Sequence, residues 1–341
     1  MADTRPTAAT APLEVDFQET DKDSAYNDTI GTASYRTSIS ESIKNYKYEN
    51  GRRYHAYREG SYILPNDEEE QDRLDLCHHL YRLLLGGKLF LAPIPENSQR
   101  VLDLGTGTGI WAIDFADEYP SAQVIGTDLS PIQPKWVPPN CTFEIDDFEN
   151  EWLYTRPFDY IHGRELMGFI ADHDRLFSRA FKHLKPGGWF EVQTTDPWFY
   201  SDDGTHEKAT NCKIFLTNLH EAGEKFGKSM GLVQTWKERM IKAGFVDVHC
   251  EVYKLPIGPW PKDPKLKELG RVQQVQQIEA IGPYTLAPFT RILGWTREEV
   301  EVLCAGVRNE LKDRSLHLYV KVYFVYGRKP KPETAGAEGE K

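Results

Sequence analysis

A chain of 341 residues is long enough to bury a sizeable core, as one large domain or two modest ones. Its 40% hydrophobic and 27% charged residues are ordinary for a globular fold, and no run approaches the roughly 18 apolar residues of a membrane span. A formal net charge of −11 opposes holding a polyanion by phosphate neutralisation, so no nucleic-acid partner is expected.

Residues 1–40 are rich in Thr, Ser, Ala, Asp and Glu, and the expectation there is a disordered arm. The opening "MADTRPTAATAPLEVD" lacks a secretory apolar stretch. The five cysteines, Cys77, Cys141, Cys212, Cys250 and Cys304, are scattered and form no C-x-x-C pair. Together these suggest an intracellular setting, cytoplasm and/or nucleus, without a metal site. Residues 41–97 read as an N-terminal helical or lid segment, in which Tyr54, Arg58 and Tyr62 either fold over a ligand or serve docking without touching it. Within it, Asn66 or Asp67 is the expected N-cap of a helix opening with Glu68, Glu69 and Glu70. Leu74, Leu76, Cys77, Leu80, Tyr81, Leu83 and Leu84 give that helix a broad apolar face, and Gly86-Gly87 ends it.

From 98 to 328 strand and helix patterns alternate. "RVLDL", "AQVIGTD", "CTFEI", "FDYIH", "WFEVQ" and "VDVHCEVY" read as strands, and helical spacing follows the first at Ala112, Phe115, Ala116 and Tyr119. Such alternation implies a doubly wound α/β sheet, parallel and covered by helices on both faces. "SLHLYVKVYFVYGR" alternates strictly from Leu316 to Tyr326 and needs no preceding crossover if it pairs antiparallel. Two stretches, about 197–230 and 257–313, are too long for simple connections and read as helical insertions, either pocket walls or stabilising appendages. Residues 329–341 read as a flexible tail.

The stretch with most chemical content is "VLDLGTGTGI" at 101–110. No G-x-x-x-x-G-K-[ST] is present, and the dinucleotide fingerprint would need glycine where Ile110 stands. What remains is D-x-G-x-G-x-G, Asp103 to Gly109, which alone is equally a tight strand-to-helix turn. "VIGTD" ends the next strand in Asp128, where a carboxylate can accept both hydroxyls of a ribose; that fits NAD and S-adenosylmethionine (SAM) alike. "EIDDF" then offers Asp146 or Asp147 for an adenine amino group and Phe148 to pack on the base. "LKPGGWFEVQ" supplies a helix end, a turn and a fifth strand.

As a set these motifs resemble the class I SAM-dependent methyltransferases, over about 100–256 and again at 315–327. The resemblance implies a Rossmann-like seven-stranded sheet whose last strand is antiparallel. It places Asp103 as the residue orienting the glycine loop, and Gly105, Thr106, Gly107 and Gly109 around the methionine part of SAM. Asp128 with Leu129 falls at the ribose, Asp146, Asp147 and Phe148 at adenine, and His162 with Gly163 on the sulfonium side. The flanking "YHAYREGSYILPNDEEEQDRLDLCHHLY", "GGKLFLAPI" and "FDYIHGREL" are similar to the LaeA-like methyltransferases of filamentous fungi. That group implies a link to secondary metabolism, a small-molecule or protein acceptor, and a velvet-type protein partner. A SAM-binding regulatory subunit with little turnover stays open as the alternative; an NAD-dependent oxidoreductase is disfavoured by Ile110 and "DDF". Methyl transfer to a hydroxyl or protonated amine needs a proton acceptor, for which His162 and Glu165 are the candidates, with Asp196 after the fifth strand.

Overall fold

The structure, a computed structural model, describes residues 11–16, 46–55 and 62–332. Most of the expected N-terminal arm, Arg58 of the expected lid, and the tail from 333 lie outside the described residues. Residues 11–16 are placed against the body: Val15 forms an antiparallel bridge with Pro261, and Asp16 pairs with Lys267.

A small hairpin comes first, Lys47–Glu49 (β1) and Arg52–Tyr54 (β2). Its turn, Asn50-Gly51, has φ of +53° and +80°, the two positive values of a type I′ turn. Helix Glu68–Leu84 (α1) follows, and the Asp67 carboxylate accepts the Glu70 N–H at 3.1 Å as its N-cap. Gly87 N–H closes the other end on the Arg82 carbonyl. The apolar face is narrower than the pattern suggested, because Leu83 points to solvent at 38% exposure.

The remaining elements are Arg100–Leu104 (β3), Ile110–Glu118 (α2), Gln123–Asp128 (β4), Cys141–Ile145 (β5), Phe158–Arg164 (β6) and His173–His183 (α3). Then come Leu184–Tyr200 (β7), Thr210–Phe226 (α4), Trp236–Lys242 (α5), Val246–Pro256 (β8), Pro264–Ala287 (α6), Arg297–Lys312 (α7) and Tyr319–Arg328 (β9). Seven strands make one sheet in the order β5-β4-β3-β6-β7-β9-β8. β9 runs antiparallel to both neighbours, while β3 to β7 are mutually parallel.

Period two sorts side chains onto the two faces. Val101, Val124, Tyr160, Trp189 and Tyr326 pack with α2, whereas Leu102, Ile125, Ile161, Phe190 and Val325 join the larger core on the other side. Phe115 of α2 is fully buried, which contributes about 1.5–3 kcal/mol. β9 is buried on both faces because it lies inside the sheet and not at its edge. It begins at Tyr319, so Leu316 and Leu318 lead into it. β7 outlasts its sequence signal by continuing to Tyr200, in register with β9 through an irregularity that contains Pro197. Residues 197–200 therefore belong to a strand and not to an insertion.

Candidate active site

Chain order moves outward in opposite directions from the β3/β6 pair, so this is the topological switch point, where parallel sheets leave a crevice at their carboxyl ends. The main cavity opens there. Gly105, Gly107, Asp128, Leu129, Asp146, Asp147, Phe148 and Glu165 all line it.

Its first wall is the turn after β3. Gly105 and Gly107 have φ of +62° and +57°, and a Cβ on Gly105 would stand 2.8 Å from Leu166. The Gly107 N–H donates to Asp128 Oδ2 at 2.8 Å, and the Ser130 N–H donates to Oδ1 at 2.9 Å. Burial pushes the Asp128 carboxyl up to about 6, against the pull of those N–H groups. Two of roughly four lone-pair sites on this carboxylate are thus used, leaving acceptors for a vicinal diol. Asp147 and Phe148 follow β5, one strand further out.

Three expected positions lie elsewhere. Thr106 is buried and donates to Asp103 Oδ2 at 2.5 Å, beneath the turn and away from the cavity. Gly109, at φ +84°, begins α2; a Cβ there would fall 2.4 Å from the Phe143 ring, so its role is close packing. Gly163 is pressed against Leu166, at 2.6 Å from the position of a Cβ.

His162 is the main correction. In the sheet register it stands beside Asp103 on β3 and Glu191 on β7, on the face covered by α2. It is fully buried, its Nδ1 lies 2.7 Å from Asp103 Oδ1, and Trp111 stacks on it at 3.7 Å. Burial lowers its pKa to about 4, so it is neutral and faces no cavity. The physical reason is strand length: β6 runs on to Arg164, which leaves His162 two residues inside the sheet. Asp103 accordingly fixes Thr106 and His162 together, and thereby the turn.

Glu165 is the first residue past β6 and lines the cavity. It holds φ of +53°, an uncommon left-handed conformation for a residue with a side chain, and its N–H donates to the Gln193 carbonyl. Oε1 accepts from the Tyr81 hydroxyl, the Thr195 N–H at 3.1 Å and the Thr195 hydroxyl at 2.8 Å. It does not pair with Arg164. That guanidinium donates to Gln193 Oε1, the Leu89 carbonyl and His78 Nδ1 and lies over the Tyr81 ring. Asp196 is buried off the cavity, where it accepts from Tyr200 and Gln234.

The end of β7 and the inserted segments supply the opposite wall: Phe199 from the strand, Phe215, Leu216, Leu219 and Met230 from the first insertion, Gln273, Gln276, Gln277, Ala280 and Tyr284 from the second. Tyr62 reaches the cavity, while Tyr54 is buried under the Arg291 guanidinium. Sequence reasoning missed Tyr81, Thr195 and the glutamines. Tyr81 was hidden in an apolar stripe and Thr195 in a strand end. The glutamine spacing 273, 276, 277 with Ala280 was visible as one helical face but carried no chemical signature.

Among the described residues no cluster of ligating side chains suits a metal, and no helix is long and apolar enough to cross a membrane. The acidic cavity, the glycine turn and the buried diol acceptor fit SAM, whose sulfonium is positive, and fit a pyrophosphate poorly. Sheet order, antiparallel last strand and switch-point site together define a class I SAM-dependent methyltransferase. Comparison with known proteins agrees. The family model described as "Methyltransferase domain" matches residues 76–249. The chain is 42% identical over 325 residues to methyltransferase pytC of Aspergillus terreus, covering 95% of this chain and 98% of that one. It is 36% identical over 289 residues to the secondary metabolism regulator LAE1 of Cochliobolus heterostrophus, covering 83% and 94%. With the protein-methionine methyltransferase laeA of Emericella nidulans it shares 37% identity over 289 residues, 83% and 76% of the two chains. The chain belongs to this methyltransferase family, in the fungal group that holds pytC and the LaeA regulators, and SAM is its methyl donor.

Proposed function

We propose that the protein methylates a small-molecule acceptor bound between α4, α6 and the ends of β6 and β7, with Glu165 receiving the acceptor's proton. The observation that carries this reading is Glu165 itself, a carboxylate held in left-handed backbone at the switch point and facing the cavity. The hydrogen bonds that Tyr81 and Thr195 give to Glu165 all go to Oε1, which leaves Oε2 for an acceptor hydroxyl. Gly105, Gly107, Asp128, Leu129, Asp146 or Asp147, and Phe148 hold the cofactor, which supplies a methyl group on a positive sulfur. The protein's work is then alignment and exclusion of water, for which the apolar wall of Phe199, Phe215, Leu216 and Leu219 is suited. In this reading His162 is a positioning residue that keeps Asp103 and the glycine turn in place.

A protein acceptor, or service as a regulatory subunit with a velvet-type partner in the cytoplasm or nucleus, is the second reading. It is favoured by the 36–37% identity to regulators, one of them named a protein-methionine methyltransferase. Purified protein incubated with methyl-labelled SAM and a fungal extract separates the two. Label among small metabolites, reduced with Asp128→Ala at low SAM concentration, supports the first; label confined to protein overturns it.

A further inference from the structure

One face of α6 is polar where it meets the cavity. Gln273, Gln276, Ala280 and Tyr284, with Gln277, recur at helical spacing and all line it, while Gln274, on another face, donates to the Leu311 carbonyl at the end of α7. Gln273 is 3% exposed and donates to Gln277 Oε1 at 3.2 Å. Gln276 is 8% exposed, and its amide makes no hydrogen bond among the described residues. That amide is not one of the fully buried, unpartnered polar atoms of the described residues: water reaches it through the cavity, and a ligand oxygen can take that water's place.

The cations of the cavity are already engaged. Arg73 forks onto Glu70 at 2.9 and 2.6 Å, Lys228 pairs with Glu149 at 3.1 Å, and Arg164 donates only to neutral acceptors. Asp128, Asp146, Asp147 and Glu165 face the same space and outnumber Arg164, whose donors are already used, so a ligand carboxylate or phosphate would meet net repulsion. Amides donate and accept without charge, and here they share the cavity with aromatic and aliphatic side chains.

We propose that Gln276, supported by Gln273 and Gln277, is an acceptor-recognition site selecting an uncharged, largely apolar molecule that carries a carbonyl or hydroxyl oxygen. The inference rests on the small-molecule reading above. It places the reacting hydroxyl at Glu165 and a second oxygen of the same molecule at α6. The test uses the full chain, methyl-labelled SAM and a small-molecule extract of a filamentous fungus, with labelled products separated on anion and cation exchangers. Label is expected in the fraction retained by neither. Gln276→Leu should raise the apparent KM for that fraction about tenfold, the effect of one lost hydrogen bond, with calorimetric SAM affinity unchanged. Label retained by either exchanger, or an unaltered KM in a variant that still binds SAM, overturns the site while leaving small-molecule methylation standing. Label on protein alone, or none at all, overturns both.

Discussion

On the cofactor side of the cavity, Gly105, Gly107 and Asp128 come from one short run of chain. Each is set by a strand end, and the Gly107 N–H bonds directly to Asp128. On the acceptor side, Tyr81, Glu165, Thr195, Phe215 and Gln276 come from α1, the end of β6, β7, α4 and α6, and meet only once the whole chain has folded. The first arrangement is local and tolerates little variation, because backbone amides and glycines make it. The second is assembled from side chains on separate helices, so its chemistry can change without disturbing the sheet. A chain built this way keeps its donor and is free to alter its acceptor.

The largest expected effect falls on the acceptor side. Glu165→Gln keeps shape and hydrogen bonding but removes the base, and kcat should drop by about 10²–10⁴, the usual contribution of a positioned proton acceptor. SAM affinity, measured by calorimetry, should stay within about threefold. A variant retaining full kcat would make the acceptor half a purely positioning surface. The counterpart on the other side is Gly109→Val, which asks a left-handed residue to carry a Cβ where the Phe143 ring already lies. Strain and overpacking together should cost about 3 kcal/mol of stability, seen as a lower urea midpoint with unchanged slope. An unshifted midpoint would show that the turn yields more easily than its packing indicates.

The same contrast explains what the sequence could convey. The sheet, its antiparallel last strand and the cofactor carboxylates were legible because period two, glycine spacing and strand-terminal acids are local signals. Asn50-Gly51 was an equally local hairpin signal that sequence analysis passed over. His162 was misplaced because the end of β6 is not written in "FDYIH": the polar "GR" that follows still pairs in the sheet, by register with β7. Thr106 and Gly109 lay inside the right motif, yet Thr106 turns back beneath the loop onto Asp103 and Gly109 already caps α2 against the Phe143 ring. Gln276 was illegible for a different reason, since a glutamine on a helix is ordinarily solvated and only the packing of α6 into the body of the fold buries it.

The smallest effects concern Asp128, where charge and burial oppose each other. Asp128→Ala should weaken SAM by roughly 10- to 100-fold at pH 7.5, the loss expected for hydrogen bonds to a charged group. Its titration then gives two opposite slopes. Burial raises the carboxyl to about 6 in the fold, above the roughly 3.9 of an unfolded Asp, so the neutral form is the one the fold prefers. Without cofactor, the corresponding stability is fully present below about pH 3.9 and is lost as pH rises through about 6. Cofactor binding runs the other way, because the ribose hydroxyls donate to an ionised carboxylate. SAM affinity of the native protein should therefore fall as pH drops below about 6, by at most tenfold per unit, and Asp128→Ala should be flat across that window. If the variant kept the same slope, the titrating group would not be Asp128, and the assignment of this carboxylate to the ribose would lose its pH signature.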